Sequence, residues 1–217
     1  IIKAVSFGRN VYRNIRNAIQ FLLSGNMAGI LVVLYCSLMG LPTPLTPVQL
    51  LFINLLTDSL PALAIGMEPV DESLLKEPPR DPNEGILNKD FLTKLVYYGL
   101  LIAVATMTSF YIGMETSTQT AVTMAFATLT LARLFHGFNC RGKASIFKLG
   151  LTSNKWTILA FFTGVVLLGI VLLVPVMERL FEAVALTSGQ LGMVVLMAFA
   201  PTLIIQIVKV ILDARRK

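Results

Sequence analysis

The stretch PVQLLFINLLTDSLPALAIGM, residues 47–67, is long and apolar enough to cross a bilayer, yet it carries one carboxylate, Asp58, near its middle. About 20 predominantly apolar residues span the hydrocarbon core as an α-helix. An aspartate at the centre of such a helix costs roughly 2.5–3.5 kcal/mol on insertion scales, so the position reads as a functional site. Asn54 lies four residues before it, Thr57 one before and Pro61 three after. Asn54 and Asp58 are one helical turn apart and can share a face. Pro61 has no backbone N–H, and its ring clashes with the carbonyl four residues back, that of Thr57. The helix is therefore expected to loosen here, freeing backbone oxygens beside the carboxylate. Broken helix at membrane depth is tolerated where it lines a cavity. The plainer reading is an aspartate satisfied by neighbouring donors as structural glue.

Outward from this stretch, 55% of the 217 residues are hydrophobic and 14% are charged. Soluble domains carry about a quarter charged residues, so the composition points to a membrane protein. Apolar runs at 18–41, 92–113, 118–139, 156–177 and 190–212 join 47–67 as candidate spans. The expected fold is all-α: a polytopic bundle of six transmembrane helices, read as one C-terminal transmembrane domain over 1–217. Its first helix is extended by residues 1–20 as a stalk, and its second is locally unwound. Residues 1–20 carry Arg9, Arg13 and Arg16, and a basic juxtamembrane segment meeting anionic lipid is the alternative. The chain opens in mid-helix, which is read as part of something longer.

Lys and Arg gather near the cytoplasmic ends of membrane helices. Here they precede the first span, flank the 68–88 loop, join the fourth span to the fifth and end the chain, whereas the other loops hold Arg179 against Glu115, Glu178 and Glu182. Both termini are thus expected in the cytoplasm. The net charge of +6 follows the same bias and gives no reason to invoke nucleic acid. Pro42, Pro44 and Pro47 make a short turn on the far side. The 68–88 loop, with Pro69, Pro78, Pro79 and Pro82, is expected to be semi-rigid. Cys36 and Cys140 fall near opposite faces, too far apart for a disulfide. No internal repeat supports an inverted-repeat transporter.

Four further polar positions fall within the span bounds. Gly25-Asn26-Met27-Ala28-Gly29 has the spacing that lets another helix approach closely, and Asn26 is either an interhelical hydrogen bond or a neutral oxygen ligand opposite Asp58. Arg133 either snorkels to the interface or serves as an internal counter-charge to Asp58. His136 is placed at the interface, and Gln206 is read as helix–helix glue. Asn26, Asn54, Thr57 and Asp58 form an oxygen set that suits a hard cation. They are too few for the six to eight oxygens calcium takes, so waters or another helix must complete the shell.

The run from Asn54 to Gly66, together with Pro78-Pro79-Arg80 and with Gly8-Arg9, Tyr12 and Asn14-Ile15, resembles the C-terminal membrane domain of P-type cation-transporting ATPases, calcium-pump branch. The resemblance implies that the six spans are the family's fifth to tenth helices. It implies that Asn54 and Asp58 are ligands of the calcium site shared across the branch, and that Asn26 and Thr57 fall on ligand positions of a second site. Gly29 and Arg133 stand where that second site has glutamates, which implies a single transported Ca2+. Arg133 is then expected to fill the vacated site and pair with Asp58 when calcium leaves. The resemblance further implies that ATP and Mg2+ act only through actuator, phosphorylation and nucleotide domains, which with the N-terminal helices and the lipid bilayer are the partners. No phosphorylation motif lies in these residues, so the chain alone is not expected to be catalytic. The membrane implied is the plasma membrane. Mn2+ or Na+ as the ion, or a passive channel or membrane-anchoring module, are the alternatives.

Overall fold

The computed structural model describes residues 2–76, 78 and 85–215; the motif residues Pro79, Arg80 and Pro82 lie outside them. The described residues are helical without strands. Helix α1 (Ile2–Leu38) is followed by α2 (Pro47–Phe52), a π-helical turn (Ile53–Thr57) and α3 (Ser59–Gly66), which together make the second span. A short 3-10 turn (Glu72–Lys76) leads on, and α4 (Lys89–Met114) and α5 (Thr118–Asn139) follow. The last elements are α6 (Ile146–Leu149), α7 (Lys155–Leu173), α8 (Pro175–Leu180) and α9 (Ser188–Arg215). Among the described residues, six helical segments are long and apolar enough to cross a membrane.

Local chemistry sets the helix ends. Thr46 and Gln49 form a reciprocal capping box, and Pro47 opens α2 where its missing N–H costs nothing. Asn88, Ser117 and Asn154 cap α4, α5 and α7 by accepting from the backbone N–H of Phe91, Thr120 and Trp156. Helix α7 stops at Leu173, short of residue 177, because Val174 precedes Pro175 and is held extended (φ −99°, ψ 116°). With 37 residues, α1 is about 55 Å long against a hydrocarbon core of about 30 Å. Its N-terminal part therefore projects as a stalk.

Helix α5 is the hub. It is the least apolar of the six spans and the one most enclosed by protein, whereas α7 and α9 are the least enclosed. A helix wrapped by other helices meets little lipid, so it can carry threonines, Arg133 and His136. The interruptions in its apolar pattern follow from that position. Phe126, Met124 and Leu129 form the core with Ile53, Phe110 and Val32 of neighbouring helices.

The close helix approach expected from the two glycines of α1 falls elsewhere. Gly29 has open space where a Cβ would stand, whereas a Cβ at Gly99 of α4 would lie 2.8 Å from Met27 Cγ and 3.2 Å from the Ser24 carbonyl oxygen. The tight α1–α4 contact is thus provided by a small residue on the partner helix.

Candidate cation site

The second span loosens just before its proline. The Asp58 N–H donates to the Ile53 carbonyl at 2.9 Å, five residues back instead of four, and the Thr57 hydroxyl donates to the same carbonyl at 3.0 Å. This turn holds one residue more than an α-turn, a form found mostly as single bulges inside α-helices and frequent at functional sites. Regular bonding resumes with Ala62 N–H to the Asp58 carbonyl at 3.2 Å, and Pro61 sits in the first turn of α3, where proline is tolerated.

The π turn delivers Asp58 to the bundle interior facing α5. Asp58 and Arg133 are both 2% exposed, and their side chains form an ion pair through Oδ2 and Nη2. The same Nη2 donates to Asn26 Oδ1 on α1 at 2.8 Å. Three helices therefore converge on one guanidinium. Asp58 Oδ1 and Arg133 Nε are buried and have no hydrogen-bond partner among the described residues. One carboxylate oxygen is thus engaged by an internal cation, and the other is left to accept.

Arg133 does not snorkel: its charge is spent inside the bundle. Asn26 joins it through its amide oxygen. Thr57 is buried beside Asp58, but its hydroxyl is committed to the backbone of its own turn. Asn54 is exposed, on a face of the second span that no described helix covers. No group of three or more His, Cys, Asp or Glu side chains that could hold a metal occurs among the described residues. A cation here would meet one carboxylate and otherwise neutral oxygens.

His136 is not at a watery interface. It is 1% exposed, with Nε2 2.8 Å from Ser24 Oγ and its ring 5.0 Å from Tyr98 and 6.0 Å from Phe21. The α1, α4 and α9 helices cover the last turns of α5, which is why a residue near its end is enclosed. Gln206 does act as glue: its Nε2 donates to Asn139 Oδ1 at 2.8 Å, and its Oε1 accepts from Ile146 N–H at 2.9 Å. Lys209 donates to the carbonyls of Asn139 and Gly142 at 2.5 and 2.6 Å, closing the C-terminus of α5.

The stalk is fastened to the segment after the second span. Arg9 donates to the Leu74 carbonyl at 2.6 Å and Arg13 to Asp71 at 2.9 Å, while Asn10 and Asn14 donate to the Glu68 carbonyl at 3.2 and 2.9 Å. These cations serve protein contacts, which decides against the lipid-only reading of residues 1–20. A buried pair that the sequence reading missed, Glu68 with Arg141, lies at the same end. Its one signal was an acid closing an apolar span immediately before Pro69.

Residues 42–211 match the family described as cation transporting ATPase, C-terminus. Over 208 residues the chain is 39% identical to a calcium-transporting ATPase of Bacillus subtilis (strain 168), a match covering 94% of the chain and 23% of that protein. It is 34% identical over 228 residues to calcium-transporting ATPase 1 of Bacillus cereus (96% of the chain, 26% of that protein). It is 28% identical over 220 residues to calcium-transporting ATPase type 2C member 1 of Pongo abelii (100% and 24%). The chain spans about a quarter of the length of these curated relatives. With its six membrane-length helices and the family match over residues 42–211, the chain belongs to the cation-transporting ATPase C-terminal family, the membrane region of P-type pumps.

Proposed function

We propose that this chain is the membrane part of an ATP-driven calcium pump and holds part of a single intramembrane Ca2+ site centred on Asp58. The observation that carries the reading is the buried Asp58–Arg133–Asn26 constellation beside a π turn. Asp58 supplies the anionic oxygen, and Asn54 and backbone oxygens of the loosened turn supply neutral ones from this chain. Asn26 and Thr57 lie close enough to lend support. Asn54 faces away from the described helices, which fits a site completed by a helix from elsewhere in the pump. The resemblance puts Arg133 and Gly29 at positions where a second ion would need carboxylates, which supports one Ca2+ moved per cycle. When calcium leaves, the guanidinium takes over the Asp58 carboxylate and keeps it from standing as an unpaired buried charge, which would be expensive.

ATP and Mg2+ act in this reading through actuator, phosphorylation and nucleotide domains of the same pump, whose movement reaches the site along the stalk. The hydrogen bonds from Arg9, Asn10, Arg13 and Asn14 to residues 68–74 tie α1 to the end of the second span, which supports their moving together. Rigid-body transmission of that kind is a standard means of switching. The lysine and arginine distribution favours both ends of these residues on the cytoplasmic side, and the plasma membrane is the membrane that the family resemblance implies.

The test is calcium binding and calcium-activated ATP hydrolysis by the intact pump. One bound Ca2+ per molecule, with Asp58→Asn abolishing calcium-dependent turnover, is expected. Two ions per molecule would sink the single-site reading, and normal activation of Asp58→Asn would remove Asp58 from the site. Activation by Mn2+ or Na+ in place of Ca2+ would reassign the ion, and ion passage without any ATP hydrolysis, or neither, would favour a passive channel or an anchoring role.

A further inference from the structure

Gly25 stands against the Nε and Nη2 side of the Arg133 guanidinium. A Cβ at Gly25 would lie 2.6 Å from Nε, 2.8 Å from Nη2 and 2.9 Å from Cζ, closer than side-chain carbons approach such atoms. Nothing in the backbone calls for glycine here, because position 25 lies in the middle of the continuous helix α1. Alanine is the better helix former at such a position. The three nearest atoms all belong to the guanidinium, so it is the first group a side chain would displace.

The neighbouring contacts keep α1 from simply moving away. Ser24, one residue before, is 2.8 Å from His136 Nε2, and Asn26, one residue after, accepts from Arg133 at 2.8 Å. Behind α1, Gly99 of α4 packs against Met27 and the Ser24 carbonyl. The backbone of residues 24–27 is held from both sides, so a methyl group at position 25 has to push the guanidinium out of its seat.

We propose that Gly25 is a specificity-determining residue of the cation site: its missing side chain forms the slot that seats Arg133 against Asp58, and so sets whether the carboxylate is shared with a tethered cation or left open to a transported one. This rests on the reading of Asp58 as a calcium ligand. Filling the slot acts as removal of the arginine does. The tethered competitor leaves Asp58, and calcium binds more tightly. The role is one of position, since Gly25 offers no ligand of its own.

The experiment uses the full-length pump carrying Gly25→Ala, Arg133→Ala, both together, Asp58→Asn, or Gly169→Ala as a control at a glycine with open space around it. Calcium affinity and thermal unfolding in calcium-free detergent are measured for each. Gly25→Ala and Arg133→Ala are each expected to lower the half-saturating calcium concentration at least about fivefold, a typical coupling between sites. The double variant should match Arg133→Ala alone, and Gly169→Ala should match the parent. A Gly25→Ala effect of equal size with and without Arg133 overturns the proposal, because the glycine then acts on something else. Unfolding temperatures coupled between the two positions while calcium affinities are not would keep the slot but overturn its role in specificity. Unchanged calcium binding by Asp58→Asn overturns the underlying site reading instead. If Gly25→Ala alone fails to fold, rescue by adding Arg133→Ala supports the slot, and failure of both overturns it.

Discussion

The Glu68 carboxylate and the Arg141 guanidinium meet through two parallel hydrogen bonds, Nη2 to Oε1 at 2.7 Å and Nε to Oε2 at 3.0 Å. The pair is buried at the end of the second span, and Asn154 adds a bond to Glu68 Oε2 at 2.7 Å. The remaining Arg141 donors reach the Gly150 carbonyl at 3.0 Å and Ser153 Oγ at 2.5 Å. The pair therefore ties the second span to the α5–α7 connection. Removing one partner of a buried pair strands the other, at a cost of about 3–5 kcal/mol. Glu68→Gln and Arg141→Met are each expected to lower the unfolding temperature of the pump in detergent. The double variant should recover part of the loss; simple additivity of the two losses would argue against a coupled pair.

Arg133→Met removes the internal partner of Asp58 and, at the proposed site, leaves the carboxylate to bind calcium unopposed. A ligand stabilises the state it binds by an amount that grows with its affinity. The rise in unfolding temperature on adding calcium should thus be larger for Arg133→Met than for the parent. An equal rise would mean that the guanidinium does not compete for Asp58.

Pro61→Ala restores a backbone N–H that can reach the Thr57 carbonyl. One extra hydrogen bond is worth about 1 kcal/mol net, enough to bias the segment toward a tight α-turn by about fivefold. The variant should fold normally and lose calcium-activated turnover by roughly that factor. Turnover equal to the parent would show that the loosened turn is not needed.

Cys140, just beyond α5, is buried, and desolvation pushes its thiol up to about 12, with Lys209 only partly opposing the shift. Since the thiolate is the reactive form, raising the pKa lowers reactivity at every pH below it. In a Cys36→Ala background the native chain should resist a maleimide at pH 8 and label on denaturation. Rapid native labelling would contradict the packing of this end of α5.

Much of the fold was legible because hydropathy over about 20 residues reports directly on lipid exposure. The carboxylate of Asp58 and the loosening near Pro61 were also readable, since each breaks a local rule. What sequence hid was partnership. Arg133 had two readings, because snorkelling and pairing use the same residue type and only the seat at Gly25 separates them. Gly25 itself was attributed to helix contact, as small residues serve packed helices and packed side chains alike. His136 was put at the interface because its depth along α5 was read without knowing that α1, α4 and α9 enclose that end. Glu68 and Arg141 lie 73 positions apart, and nothing local marks such a pair.

The Asp58–Arg133 pair has an electrical consequence. With both groups ionised, the negative and positive charges belong to the same polypeptide and cancel where they touch. Each elementary charge carried across the membrane is worth about 2.3 kcal/mol per 100 mV. A neutral pair feels almost none of this, so with the pair formed the membrane voltage has little purchase on the site. Once a divalent ion replaces the guanidinium at Asp58, net charge appears at that depth and the field can act. In the proposed transport cycle, voltage sensitivity should therefore concentrate in the calcium-bearing half.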